Sequence, residues 1–124
     1  MNLKFRVWHK KEHKMYENAY QKLFYVLLCN EKNEPVLRAS HDDCVFLQST
    51  TLIDKQGREI FEGDIVRLKL KGKVFQGVVE EVPDMFKSRR LHPLDRLLKK
   101  YGITQDEASQ MELETIGNSY LESV

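Results

Sequence analysis

Residues 48–71, QSTTLIDKQGREIFEGDIVRLKLK, constrain the fold more than any other part of the chain. Asp54, Lys55, Gln56 and Gly57 form a four-residue turn signal. Asp suits its first position, and Gly suits the left-handed conformation that closes it. Residues 58–61 are then expected to pair back on residues 50–53. Glu62, Gly63 and Asp64 make a second corner, where Gly lets the backbone bend sharply. Residues 65–71 alternate from there, with Val66, Leu68 and Leu70 inward and Arg67, Lys69 and Lys71 outward. Lys71 and Gly72 turn the chain into a partner strand over residues 73–82. Gly77 inside that strand predicts a bulge or strong bend, which a small closed sheet needs.

The N-terminal part reads as further β structure. Residues 3–8 alternate, with Leu3, Phe5 and Val7 on one face and Lys4, Arg6 and Trp8 on the other, as in a half-buried strand. The charged residues 9–14 read as a turn, and Met15 and Tyr16 as the start of a return strand. Residues 17–22 leave room for a short helical turn. Residues 23–29, LFYVLLC, are apolar throughout, which fits a fully buried strand or a buried helix piece, and their length and Phe-Tyr-Val content favour the strand. Pro35 confines Val36 and Leu37 to a sheet edge. Residues 40–43 are a turn and 45–52 another strand.

Beyond Pro83 the pattern changes. Residues 83–90 read as a loop. Pro93 opens a helix whose Leu94, Leu97, Leu98 and Tyr101 follow the helical period. Gly102 caps it, and Lys99 and Lys100 suit its last turn. Thr104 and Glu107 form a capping box for a second short helix, expected to run to about Met111. Residues 113–116 resume strand chemistry, and Gly117 and Asn118 end it.

A chain of 124 residues is the size of one domain. Its 41% hydrophobic and 31% charged residues exclude a disordered tail. Twenty Lys and Arg stand against nineteen Asp and Glu, net +1, so only a local patch could draw a polyanion. Cys29 and Cys44 are too few for a disulfide framework and fit a reducing compartment. No secretory leader is visible in MNLKFRVWHKK, and the longest apolar run is too short to span a bilayer. The expected location is the cytoplasm, with no membrane partner.

Few residues suggest chemistry. Asp64 follows a glycine in a corner, where an Asp ordinarily binds turn N–H groups, and no acid or His partner lies near it in sequence. Glu59 and Glu62 read as solvated charges rather than an acid–base pair. His41 and Cys44 have half the spacing of a zinc knuckle, but Cys29, His9, His13 and His92 supply no second half. No cofactor or metal is expected, and Cys44 reads as a small buried thiol. The outward stripe of Arg67, Lys69, Lys71 and Lys73 could track a phosphate backbone. The alternative is an edge strand kept soluble by its cations, with Glu80 and Glu81 as counter-charges. Lys87, Arg89 and Arg90 form a second basic cluster. The stretch YGITQDEAS is too short for a helix-turn-helix and reads as packing or protein interaction. The glycines are spaced as turns, not as a phosphate-binding loop.

Three stretches together resemble the YopX family of bacteriophage and prophage proteins. FRVWHKKEHKM is similar to its opening Arg and Trp, charged turn and Met. DKQGREIFEGDIV resembles its Asp-x-x-Gly turn followed by E-I-Y/F-E-G-D-I-V. IGNSYLES resembles its closing I-G-N-x-Y-E element. The family usually has Thr-Gly before the Asp turn where this chain has Thr50 and Thr51, so a different bend is expected if that Gly needs a positive φ. The resemblance implies a mostly β cytoplasmic protein of phage origin, and it carries over no catalytic residues.

The fold expected is mainly β (α+β). It is a single YopX-like domain, with an N-terminal β extension over residues 1–47 and a small SH3-like β-barrel over residues 48–124. The barrel is closed by the C-terminal strand and interrupted by a short helical insertion near residues 91–111. The function expected is a non-catalytic phage or prophage accessory protein of the bacterial host cytoplasm. It would act by protein interaction with a phage or host protein, or by self-assembly into a homo-oligomer. The alternative is a nucleic-acid-binding module using Arg67, Lys69, Lys71 and Lys73.

Overall fold

Strand β6, Cys44–Ile53, runs across the boundary between two compact units, Met1–Gln48 and Ser49–Val124. This computed structural model describes residues 4–80, 95–108 and 110–122. The expected loop over 83–90, the residues Glu81, Val82, His92, Pro93 and Leu94, and the cluster of Lys87, Arg89 and Arg90 lie outside them.

In the first unit, β1 (Phe5–His9) pairs antiparallel with β2 (Lys14–Tyr16) on one side and with the first half of β6 on the other. A second sheet has the order β3-β4-β5, from Asn18–Gln21, Val26–Cys29 and Pro35–Ala39. The core comprises Val7, Tyr16, Val26, Leu28, Ala39 and Cys44, with Phe5, Ala19, Leu37 and Phe46 packed against it. The Asn30 side chain accepts from the N–H groups of Lys32 and Glu34, which closes the β4–β5 turn.

Three expectations change here. Residues 18–21 are strand, not a helical turn, because they pair in register with β4 from Asn18↔Cys29 to Gln21↔Val26. The apolar run at 23–29 is not wholly buried: Leu23 and Phe24 lie beyond the last paired residues and are 83% and 85% exposed. Trp8 and His9 are buried together with Val7, so the end of β1 is covered on both faces.

In the second unit, β7 (Glu59–Phe61) folds back on β6, as the Asp54–Gly57 turn predicted. Strand β8 (Asp64–Leu70) lies between β10 (Glu112–Asn118) and β9 (Lys73–Val78), all antiparallel. The fold is mainly β, with curled antiparallel sheets forming a half-barrel and few short helices. Ile60, Val66, Leu68, Val79 and Leu97 form its core, with Leu52, Phe75, Tyr101, Met111 and Leu113 around them. The alternation read over 65–71 holds, since Val66, Leu68 and Leu70 are buried while Lys69 and Lys71 are exposed. Lys71 and Gly72 both have positive φ, as a tight hairpin turn requires.

Helix α1 (Asp95–Lys100) ends as the sequence indicates. Gly102 takes a φ of 66°, its N–H donates to the Lys99 carbonyl, and Ile103 N–H donates to that of Leu98. Helix α2 (Gln105–Ala108) starts on the expected capping box: Glu107 N–H donates to Thr104 Oγ1 while Thr104 N–H donates to Glu107 Oε1, both at 3.2 Å. It stops short of Met111, where bonds to the third preceding carbonyl tighten the chain. A last single turn, α3 (Ser119–Glu122), follows β10.

Of the bulge or strong bend expected at Gly77, no bulge is present. Gly77 pairs with Val66 without a shift of register. It lacks a side chain because Leu97 occupies the space a Cβ would take, so the glycine seats α1 on β9. Register shifts in this unit fall in β10, between Thr115 and Gly117, and in β6, between Ser49↔Phe61 and Ile53↔Glu59. Thr51 sits at the centre of the β6 shift with a φ of 66°, so this chain makes a left-handed bend with threonine where the family pattern has glycine. Hydroxyl groups hold it: Ser49 Oγ accepts from Thr51 N–H, and Thr50 Oγ1 accepts from Leu52 N–H and donates to the Ile60 carbonyl.

Candidate interaction site

The motif carboxylates are committed to the backbone. Asp64 Oδ2 accepts from Phe61 N–H at 2.8 Å, and Oδ1 accepts from Asn118 Nδ2 at 3.0 Å. Ser119 donates both its N–H and its hydroxyl to the Gly63 carbonyl at 2.8 Å. A Cβ on Gly63 would lie 2.9 Å from the Tyr120 ring, and its φ is 89°. The central and closing motifs therefore meet in one corner, where Asp64 binds the Phe61 N–H.

Asp54 takes three N–H groups, from Gln56, Arg58 and Thr115, at 2.9–3.0 Å. Burial alone would raise its pKa, but these bonds outweigh burial and bring it down to about 2. Glu62 corrects the expectation of two solvated carboxylates: it is fully buried, and Glu59 is half-buried. The cause is local. Gly63 N–H donates to the Val79 carbonyl, and Val79 N–H donates to that of Asp64, so the chain after β9 closes over the corner.

The basic stripe is matched by acids from its other neighbour. Across the β8–β10 ladder, Lys69 stands opposite Glu112 and Arg67 opposite Glu114. Arg67 Nη1 lies 3.7 Å from Glu114, Lys55 Nζ lies 2.6 Å from the same carboxylate, and Lys71 Nζ lies 4.0 Å from Glu107. Lys55 above all, with Arg67 and Lys69, holds the Glu114 carboxyl below its usual range. Lys73 and Lys71 together lower Glu107, after its bonds to Thr104. Sequence order hid the β10 partners, because Glu112 and Glu114 lie far along the chain from Lys69 and Arg67.

The first unit shows a different kind of surface. Lys22 N–H donates to the Tyr25 carbonyl at 2.9 Å, closing a tight turn with Leu23 and Phe24 at its tip. His41 Nε2 donates to the Lys22 carbonyl at 2.8 Å, which requires a proton on Nε2. The Arg38 guanidinium stacks 4.2 Å from the Tyr25 ring centroid, and Lys22 Nζ lies over the Tyr20 ring. His41 thus frames an apolar tip instead of pairing with Cys44, which is buried and whose thiol burial pushes up. Among the described residues no group of three or more His, Cys, Asp or Glu is placed to hold a metal ion. No helix among them is long and apolar enough to cross a membrane. The tip could be suspected from sequence only because residues 23–29 exceed the length of the four-residue strand that pairs with them.

A family model for YopX protein matches residues 4–124. This chain belongs to the YopX family. The crystal structure of protein EF1440 from Enterococcus faecalis resembles this YopX-family chain with a TM-score of 0.51 and 19% identity, covering 99% of this chain and 96% of that one. At that identity the likeness shows the fold alone. A comparison with curated proteins gave no match.

Proposed function

We propose that this YopX-family chain is a non-catalytic accessory protein of phage or prophage origin that acts in the bacterial cytoplasm by binding protein. Its contact is the Leu23–Phe24 tip of the first unit, and its second unit is an SH3-like half-barrel. One observation carries the reading: two adjacent large apolar side chains are more than four-fifths exposed on a framed turn. A single exposed Leu is ordinary on a protein surface. Two on one tip forgo roughly 1.5–3 kcal/mol of burial each, and a partner's pocket would recover it. Phenylalanine is enriched at protein interfaces relative to the rest of the surface. The nucleic-acid alternative draws less support, because Arg67 and Lys69 each face a glutamate across the ladder.

The test places a photo-crosslinking phenylalanine analogue at position 24 in living bacteria, with position 32 as an exposed control. Crosslinks to polypeptide from position 24 and not from 32 are expected. Equal or absent protein crosslinks at the two positions would sink the reading.

A further inference from the structure

The first unit also carries a groove of about 430 Å³. Apolar Met15, Val36 and Leu37 line it, together with the carboxylates of Glu12, Glu17 and Glu31 and one cation, Lys14. Three acids against one base leave a net charge of −2 on its lining. Tyr16 donates to Glu12 at 2.7 Å and helps hold that carboxyl below its usual range, and Arg6 meets Glu17 at 3.3 Å. Glu31 is exposed at the β4–β5 turn. The groove lining therefore mixes apolar side chains with an excess of acid, part of it compensated by Arg6 on Glu17. The tip carries the opposite charge: Lys22 directly precedes the exposed Leu23 and Phe24, and the Arg38 guanidinium lies over the ring of Tyr25, which follows them. An apolar cavity of about 150 Å³ already holds a benzene ring, so the groove has room for a phenyl and an isobutyl group.

The two surfaces lie at opposite ends of one hairpin. The Asn18↔Cys29 pair of β3 and β4 is at the groove, and the Gln21↔Val26 pair is at the tip. Three residue steps of strand separate them by about 10 Å, so a tip cannot enter the groove of its own chain. We infer that the Leu23–Phe24 tip of one copy docks in the Met15–Val36 groove of a second copy, in a head-to-tail contact. Such a contact joins two different surfaces, so it propagates to a ring or an open chain instead of closing a two-fold dimer. The inference rests on the binding role proposed for the tip and names its partner.

The experiment uses the full chain, with light scattering after size separation. Phe24→Asp removes the tip and Val36→Asp the groove. The wild type is expected to gain mass with concentration up to about 1 mM, and each variant alone to lose association by about 30-fold or more. A mixture of the two variants retains one good tip and one good groove, so it should form a dimer and nothing larger. If Val36→Asp loses its fold by circular dichroism, Glu31→Lys, on an exposed residue, takes its place. A wild type of single-chain mass at every concentration overturns the inference. So do variants that assemble like the wild type, or a mixture that stays monomeric. Crosslinks from position 24 to other polypeptides, with a monomeric wild type, would overturn self-docking alone and leave the binding role standing; absence of crosslinks sinks both.

Discussion

The Asp64 carboxylate accepts a hydrogen bond from the Asn118 side chain at 3.0 Å, across 54 residues of sequence, with both groups buried. Asn118 Oδ1 also accepts from the N–H groups of Tyr120 and Leu121, so one amide joins β8 to α3. Asn118→Ala should cost about 2–3 kcal/mol, from a lost cap and a buried acceptor left short of a donor. Urea denaturation measures it. Combined with Asp64→Ala, the cost should fall below the sum of the two; strict additivity would show that the residues act separately.

Thr51 makes a left-handed bend that a β-branched residue resists by roughly 1–2 kcal/mol. Glycine removes that strain but adds about 0.5–1 kcal/mol of entropy to the unfolded chain. Thr51→Gly should therefore stabilise the protein by about 0.5–1 kcal/mol. A lower denaturation midpoint would show that the threonine side chain matters more than the bend.

Asp54 has a depressed pKa, about 2 against 3.8 for the free side chain. The unfolded chain therefore takes up the proton first as pH falls. The stability Asp54 contributes is complete above the unfolded value and is lost as pH drops from about 5 toward 2. The gap between wild type and Asp54→Asn, followed by denaturation across that range, should shrink by about 1–2 kcal/mol. A gap independent of pH would mean that the carboxyl charge contributes nothing.

At Gly77 a methyl group would collide with Leu97 of α1. Gly77→Ala should cost about 1–3 kcal/mol. Amide exchange at residues 97–101 should rise more than exchange in β8. Unchanged protection there would show that the helix is not seated by this contact.

Glu112 and Glu114 stand opposite Lys69 and Arg67. Wild-type protein should leave double-stranded DNA at low salt. Glu112→Gln with Glu114→Gln should bind it more tightly, with a steeper salt dependence. Equal retention by the two proteins would show that the glutamates do not mask the stripe.

Turns and caps were the legible part of this sequence, because each rests on one or two residues with a fixed geometric need. Asp54 with Gly57, Gly102, and Thr104 with Glu107 all do what local chemistry demands. The site was less legible, for two reasons. The partners of Arg67 and Lys69 come from β10, and no local rule places β10 beside β8. Leu23 and Phe24 belong to a run that looks buried because periodicity reports apolarity, not where a hairpin ends. Gly77 reads as a bulge or strong bend within its own strand, whereas the neighbour it makes room for, Leu97, comes from a helix twenty residues further on, which no local rule places there.

Because, among the described residues, the core of the first unit draws on residues 5–46, a chain emerging from the ribosome holds that set before the second core has begun. The second unit depends on the far end: β8 waits for Glu112–Asn118, and the Asp64 corner for Asn118 itself. A synthesis interrupted before residue 112 would release chains with one finished unit and a bare β8 edge, a template for aggregation. For this fold, a premature stop is more dangerous than most single substitutions.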